Sequence, residues 1–335
     1  MGNTKRVIFL QSAHISTDER VLFHQAKALK SVGYQVDIYG KEVFNDFQLQ
    51  SADIYVVDTP RALWKVRRTT AKIVYDITEW YPSKKNLRNV KIGKTIKAFL
   101  MIIASLWAGW RADAFIFGEK DKAKPFQFLF PNKKSIFLSY YPDLEYINSS
   151  GMREIDSELR VLYAGPLTKE KGWERVVETM CGIAQKMPKM QFRLDVISQN
   201  VVAEFAKPNN LHVGVLEFMP FEKFCEQITQ YDTFLDLRDA DFENRRCLPI
   251  KLFYYMACGK PSIYSNLKAI KKGVPEFENC GQLVDNTAQA IEVMSEYITN
   301  KELYSQHCSN ALKLSQDKYN WAIIKEDFLS LINDL

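Results

Sequence analysis

One pattern in this sequence has a direct chemical meaning: a glycine closing an apolar run, then Lys-Gly opening an amphipathic stretch. In LYAGPLTKEKGWERVVETM, Gly165 ends a strand pattern and Lys171-Gly172 starts a helix pattern. Backbone N–H groups at the positive end of a helix, with a lysine ammonium beside them, can face an anion, and a diphosphate fits that geometry. The same residues also make an ordinary strand-to-helix turn with a solvated lysine. A second segment, LPIKLFYYMACGKPSIYSN, puts Pro249 in the first turn of a helix and Gly259 at its end, with Leu252, Phe253, Met256 and Ala257 on a buried stripe. Other chemistries lack their residues. The first strand-to-helix loop reads QSAHISTDER without a glycine, so the GxGxxG of nicotinamide and flavin enzymes is missing. The six cysteines, Cys181, Cys225, Cys247, Cys258, Cys280 and Cys308, show no CxxC or other metal-ligand spacing; they are expected to be reduced core thiols, and no metal site is expected.

Positioning such a site takes alternating strands and helices, and the sequence supplies them twice. Short β-branched and aromatic runs at 6–11, 35–40, 54–58, 72–77, 114–118 and 136–140 alternate with helical stretches, the first from Glu19 to Val32. A second series follows at 159–165, 192–198, 211–218, 233–238, 261–265 and 281–285, with a helix from Trp173 to Lys186. Strands separated by helices predict parallel sheets covered on both faces. The 335 residues suit about two domains of roughly 150 each. With 47% hydrophobic and 25% charged residues the composition is that of a globular protein, which excludes disordered, collagen-like and coiled-coil readings. The expected organisation is an N-terminal Rossmann-like domain at 1–143, a linker at 144–157, a second Rossmann-like domain at 158–318, and a last helix at 319–335 packing back on the first domain.

The order strand, G-x5-KG, helix, then LPIKLFYYMACGKP, resembles the second domain of the large retaining group of GT-B glycosyltransferases. The first half agrees. AHISTDERVLFHQAKALKSVGYQVDIYG resembles that group's opening H-x3-D-x-R motif, KIVYDITEWYP its D-x-H-E segment, and YYPD the end of its first domain. The resemblance covers nearly the whole chain. It implies an α/β GT-B fold, two doubly wound Rossmann-like domains facing a central cleft. It also implies a nucleotide-diphosphate sugar held by the second domain, an acceptor held by the first, and metal-independent transfer with retention, with no cofactor beyond the sugar donor. The expected role is a hexosyltransferase acting on a glycan or lipid-linked glycan in surface polysaccharide assembly.

By this resemblance Gly165, Lys171 and Gly172 meet the donor diphosphate, and Lys251 and Tyr254 stand at the donor positions of the helix motif. Asp18 and Glu79 are the carboxylates expected near the chemistry, with His14 and Arg20 on the acceptor side. An Asp-x-Arg pair can also be a local ion pair, and His14 also reads as a loop or core histidine. Several positions depart from the family. Tyr254 replaces a ribose-binding Glu, Arg246 a second Glu, Pro166 a phosphate-binding Arg, and Thr78 the histidine of D-x-H-E. Arg245 or Arg246 can restore the lost cation, and a tyrosine hydroxyl can bond a ribose as a weaker, neutral partner. In such retaining enzymes the departing phosphate oxygen takes the acceptor proton, so positioning and phosphate cations matter more than a general base. The competing readings are a degenerate transferase acting as a scaffold and a nucleotide-sugar epimerase of the same architecture.

The net charge of +5, from 45 Lys and Arg against 40 Asp and Glu, is mild, but it clusters. Lys84, Lys85, Arg88, Lys91, Lys94 and Lys97 precede AFLMIIASLWAGW with no acid between. That apolar run is too short to span a bilayer. Residues 84–110 are therefore either a buried helix with a solvated basic start or a face for anionic membrane. No nucleic-acid recognition motif is present. Only four apolar residues precede Gln11, too few for a signal peptide, so the expected location is cytoplasmic, with contact to the inner face of the membrane if the second reading holds.

Overall fold

The computed structural model describes residues 4–79, 82, 87, 93–149 and 151–335. Lys84, Lys85, Arg88 and Lys91 fall outside them. The chain divides into two compact units, residues 1–140 with 321–335, and residues 141–320.

The first unit holds β1 (Arg6–Leu10), β2 (Gln35–Tyr39), β3 (Ile54–Val57), β4 (Lys72–Ile77), β5 (Ala114–Phe117) and β6 (Lys134–Phe137). They form one parallel sheet in the order β2-β1-β3-β4-β5-β6. Its central strands are apolar at consecutive positions because both faces are covered. Val7, Phe9, Val56 and Val74 point to one layer, while Ile8, Leu10, Tyr55 and Tyr75 point to the other. The connections carry α1 (Lys27–Ser31), α2 (Pro60–Lys65), α3 (Lys94–Arg111) and α4 (Lys120–Leu129). The C-terminal helix Trp321–Asn333 completes the first layer. Trp321 stacks on His24 at 5.0 Å between centroids, and the Tyr34 hydroxyl donates to Asn333 at 2.6 Å.

The single helix expected over 19–32 is instead a π-helical segment, Arg20–Ala26, running into α1. The wider turn has a visible cause. Residues five apart share a side in a π-helix, and both Arg20 and Gln25 reach Asp76 on β4, Gln25 at 3.1 Å. Arg20 Nη1 donates to both Asp76 oxygens at 2.7 and 2.6 Å, and Nη2 donates to the Leu138 carbonyl at 3.1 Å.

The second unit repeats the design with β7 (Glu158–Ala164), β8 (Gln191–Ile197), β9 (Leu211–Leu216), β10 (Thr233–Asp236), β11 (Ser262–Ser265) and β12 (Gln282–Val284). The parallel order is β12-β11-β10-β7-β8-β9. Its helices are α5 (Trp173–Lys186), α6 (Phe221–Ile228), α7 (Lys251–Ala257), α8 (Lys268–Gly273), α9 (Thr287–Thr299) and α10 (Lys301–Asp317). In both sheets the chain reverses direction beside its first strand, between β1 and β3 and between β7 and β10. Open α/β sheets bind ligands outside the carboxyl ends of their strands at such reversals, so each unit offers one place to look.

Removing one partner of a buried ion pair strands the other charge. Arg20→Ala is expected to lower unfolding stability by about 3 to 5 kcal/mol in a denaturant melt; a loss under about 1 kcal/mol would show that the pair is not a clamp of the first unit.

Candidate functional site: the two sheet reversals

At the reversal of the second unit, the loop after β7 is shaped by Tyr163. Its hydroxyl bonds the carbonyl of Pro166 at 2.7 Å and that of Lys171 at 3.3 Å, curling the loop back on the strand it left. Gly165 donates its N–H to the Ile197 carbonyl at 3.0 Å. A Cβ placed on Gly165 would meet Tyr163 in ordinary contact, with the phenol oxygen at 3.5 Å. Gly172 is under far tighter constraint. Its φ is +81°, and a Cβ there would lie 2.0 Å from the Leu237 carbonyl oxygen just past β10. The start of α5 is thus pressed against the neighbouring strand end.

That contact brings the residues of the motif to one spot within the second unit. Lys171 Nζ bonds Asn244 Oδ1 at 3.1 Å and lies 3.2 Å from the Glu170 carboxylate. Asn244 is buried and begins a short 3-10 turn, Asn244–Arg246, whose backbone is held by Asp241 Oδ1 accepting from the Glu243 and Asn244 N–H groups at 3.0 and 2.8 Å. Arg246 is exposed on the same turn; its guanidinium sits 3.7 Å from the Phe242 ring centroid and donates to the Phe242 carbonyl. Lys171, Gly165 and Gly172 are therefore together, and the loop carrying Arg245 and Arg246 is joined to them through Asn244. Lys251 opens α7 and is half-buried.

Tyr254 requires a correction. Its side chain is 1% exposed, with the Phe221 and Phe224 rings at 5.8 and 6.3 Å, so it is a core residue rather than a group at a ribose-facing surface. Position 254 lies on the face of α7 that packs on α6, where an aromatic ring gains more from burial than from any polar contact. Sequence reading also missed Asn244, which has no periodic or motif signal, and Arg238. The latter follows β10, and its Nε donates to Asp236 at 2.7 Å. Burial works against the charge of Arg238, but the Asp236 carboxylate more than compensates and holds it firmly protonated.

The first unit uses its reversal differently. Asp58, just past β3, is 2% exposed and accepts the Ser12 and Ala13 N–H groups at 2.9 and 2.8 Å. The amides that follow the first strand, which would otherwise face an anion, are already satisfied by the protein's own carboxylate. Burial raises the Asp58 pKa above the ordinary carboxylate value, with these bonds acting in the opposite direction. Beside it, His14 Nδ1 lies 3.2 Å from Asp18 Oδ2 and Nε2 lies 3.3 Å from Thr78 Oγ1. Glu79 is half-buried and close enough for its charge to act on His14. His14, Asp18 and Glu79 are brought together. Arg20 adjoins them, its backbone N–H donating to Asp18 Oδ1 at 3.1 Å, but its guanidinium, 3% exposed, is spent on Asp76 and on the Tyr140 ring, 4.9 Å away, so its expected acceptor-side role is corrected to that of an internal clamp. Asp76 is consumed by the same pair. Among the described residues, no three His, Cys, Asp or Glu side chains are grouped to hold a metal ion.

Neither a protein-family model nor a curated protein sequence matches the chain. Solved structures do. Sucrose-phosphate synthase from Thermosynechococcus elongatus superposes with a TM-score of 0.69 at 13% identity, covering 98% of each chain. HepE from Anabaena in complex with UDP-glucose gives 0.66 at 13% identity, over 99% of this chain and 100% of that one. An α-glucosyltransferase in complex with UDP-glucose and DNA gives 0.62 at 12% identity, over 98% and 100%. The chain has a GT-B fold. At these identities the likeness speaks for architecture, and the GT-B fold here consists of two six-stranded parallel sheets with the residues described above at their reversals.

The bond to Asp18, against the opposing effect of burial, raises the His14 pKa above its ordinary 6.5. Asp18 is lowered, because the His14 bond and the His14 and Arg20 charges outweigh its burial. The pair then stabilises the first unit below the His14 pKa, loses that contribution as pH rises through it, and loses it again in acid as Asp18 protonates. An NMR titration is expected to place the His14 midpoint above 6.5 and to return it towards 6.5 in Asp18→Asn. An unshifted midpoint in the parent protein would remove the pairing.

Proposed function

We propose that the protein is a glycosyltransferase that takes a sugar from a nucleotide diphosphate carrier, with the second unit holding the donor. The observation that carries this reading is Lys171 beside Gly172 at the start of α5, at the sheet reversal, in a loop that begins with Gly165 and is joined through Asn244 to the loop of Arg245 and Arg246. The contrast with Asp58, which fills the equivalent place in the first unit, supports the same division of labour. Uridine diphosphate is the first nucleotide to test, since structures of this architecture have been solved with UDP-glucose.

In the proposed reaction the bond from the sugar anomeric carbon to the diphosphate oxygen breaks and a bond to an acceptor hydroxyl forms. The hydroxyl proton passes to the departing diphosphate. Lys171, and Arg246 once released from Phe242, stabilise the charge that builds on the leaving group. The first unit supplies His14, Asp18 and Glu79 to orient the acceptor. We further propose retention of configuration, a hexose as the transferred sugar, and a glycan or lipid-linked glycan of surface polysaccharide as acceptor. The buried Tyr254, standing where a ribose-binding carboxylate would be, favours a second reading in which the donor site is weakened and the protein acts as a scaffold.

Thermal unfolding with nucleoside diphosphates separates the two. A ligand at a hundred times its dissociation constant adds about 2.7 kcal/mol of stability, visible as a rise in Tm. UDP is expected to raise the Tm, and Lys171→Ala to abolish that rise while leaving the Tm without nucleotide within about a degree. No response to any nucleoside diphosphate would reject the donor site and leave the scaffold reading.

A further inference from the structure

In two places this chain completes an arginine–aspartate pair with a backbone acceptor. Arg20 bonds both oxygens of Asp76 and also the Leu138 carbonyl, and Arg153 bonds both oxygens of Asp232 and also the Glu158 carbonyl. Arg238 lacks the third partner. Its Nε donates to Asp236 Oδ1 at 2.7 Å and its Nη2 to Asp236 Oδ2, and among the described residues its Nη1 has no hydrogen-bond partner. A guanidinium carries five N–H groups in a flat fork, and this side-on pairing uses one edge of it. The other edge, with one N–H from each Nη, is left over. Its spacing matches two oxygens of one phosphate or carboxylate.

That edge is held rather than loose. Two bonds to one carboxylate fix the plane of the guanidinium, and with side chains 17% and 14% exposed the pair is sheltered from most solvent without being closed off. Charge-assisted bonds are stronger in such a place than at an open surface. A sheltered donor edge without a protein acceptor is what an anion-binding arginine presents.

Its place is the sheet reversal of the second unit. A Cβ on Gly172 would lie 2.7 Å from the Arg238 backbone nitrogen, so the start of α5 touches this residue itself. The guanidinium is close enough for its charge to act on Tyr163, whose hydroxyl holds the Pro166 and Lys171 carbonyls, and on Cys247, which ends the Asn244–Arg246 turn. Arg238 therefore stands beside both connections that Lys171 and Asn244 join. The other cations are engaged differently. Lys171 is shared between Asn244 and Glu170, and Arg246 lies on the Phe242 ring and donates to its carbonyl. Arg238 is already oriented by a carboxylate, with a two-oxygen edge to spare.

We infer that Arg238 is a phosphate-binding residue of this chain, its unused edge taking two oxygens of the donor diphosphate while Asp236 holds the guanidinium in position. This role rests on the reading of the second unit as the donor-binding unit, and it adds a contact not used there. Lys171 is a point charge that attracts the diphosphate; the planar fork of Arg238 also fixes its orientation. Asp236 is a positioning residue, acting on the ligand only through Arg238.

The test is calorimetric titration of the full chain with UDP, GDP and ADP, carrying the tightest binder forward to the variants. Arg238→Lys keeps the charge and the pairing with Asp236 but not the fork. The double variant Asp236→Asn with Arg238→Gln replaces the ion pair by two amides that can bond each other, so neither charge is stranded. The double variant is expected to weaken nucleotide binding by about tenfold or more, and Arg238→Lys by about threefold or more. Affinity in the double variant is also expected to fall less steeply with added salt, because one cation–phosphate contact is gone. An arginine that only braces the fold would leave that salt dependence as in the parent chain. A parent that binds nucleotide, with either folded variant within about twofold of it, overturns the role of Arg238 and leaves the donor site standing. A parent that binds none of the three nucleotides overturns the donor site and this role with it. Weakening confined to a nucleotide-linked uronic acid, with the free nucleotide bound as before, would give the edge to a sugar carboxylate and likewise overturn the diphosphate contact.

Discussion

In the second unit, α5 begins so close to the end of β10 that position 172 has no room for any side chain: a Cβ would stand 2.0 Å from the Leu237 carbonyl oxygen. Much of the site follows from this one approach. It places the positive end of α5 at the sheet reversal. It brings Lys171 within 3.1 Å of Asn244, on the loop that carries the two arginines, so two separate connections are joined at the reversal. It also forces the preceding loop into a tight curl, which Tyr163 holds through the carbonyls of Pro166 and Lys171. Any side chain at 172 would push the helix off the strand and disperse these groups.

The two units share a topology and put it to opposite uses. Each sheet reverses beside its first strand, yet in the first unit Asp58 takes the Ser12 and Ala13 amides that such a reversal would offer to an anion. With that place filled by a buried carboxylate, the cations nearest His14 are already engaged, Lys122 by the Thr78 carbonyl and Arg20 by Asp76. The second unit gathers Lys171 and the loop of Arg245 and Arg246 at its reversal, with Glu170 3.2 Å from Lys171 and Asp236 paired with Arg238. A cluster of cations favours a phosphate-bearing ligand, which is the physical basis of the donor side proposed above.

Much of the fold was legible because apolar runs buried on two faces leave an unmistakable trace: all twelve strands overlap the stretches read from the sequence, nine of them lying wholly inside. The G-x5-KG segment was legible for a similar reason, since its glycines and lysine answer to local backbone geometry. Arg20 and Tyr254 were misread because a motif fixes where a residue sits along the chain and not which way it points. The π-helical turn, invisible to a period of 3.6, swings Arg20 inward onto Asp76. Tyr254 faces α6 because α7 is apolar all round, so its sequence held no polar side to mark the exposed edge. Asp58 and Asn244 carry no pattern at all; their roles depend on partners 45 and 73 residues away. For α3 the apolar stripe was plain in the sequence, but only the packing of Ala108 and Gly109 shows which side turns outward.

The division between donor and acceptor units is tested most directly by hydrogen–deuterium exchange of the full chain with and without UDP. Slowed exchange is expected at residues 165–173 and 241–246, with residues 12–18 unchanged. Protection at residues 12–18 with none in the second unit would contradict the assignment, and would mean that a nucleotide displaces Asp58 from the Ser12 and Ala13 amides instead.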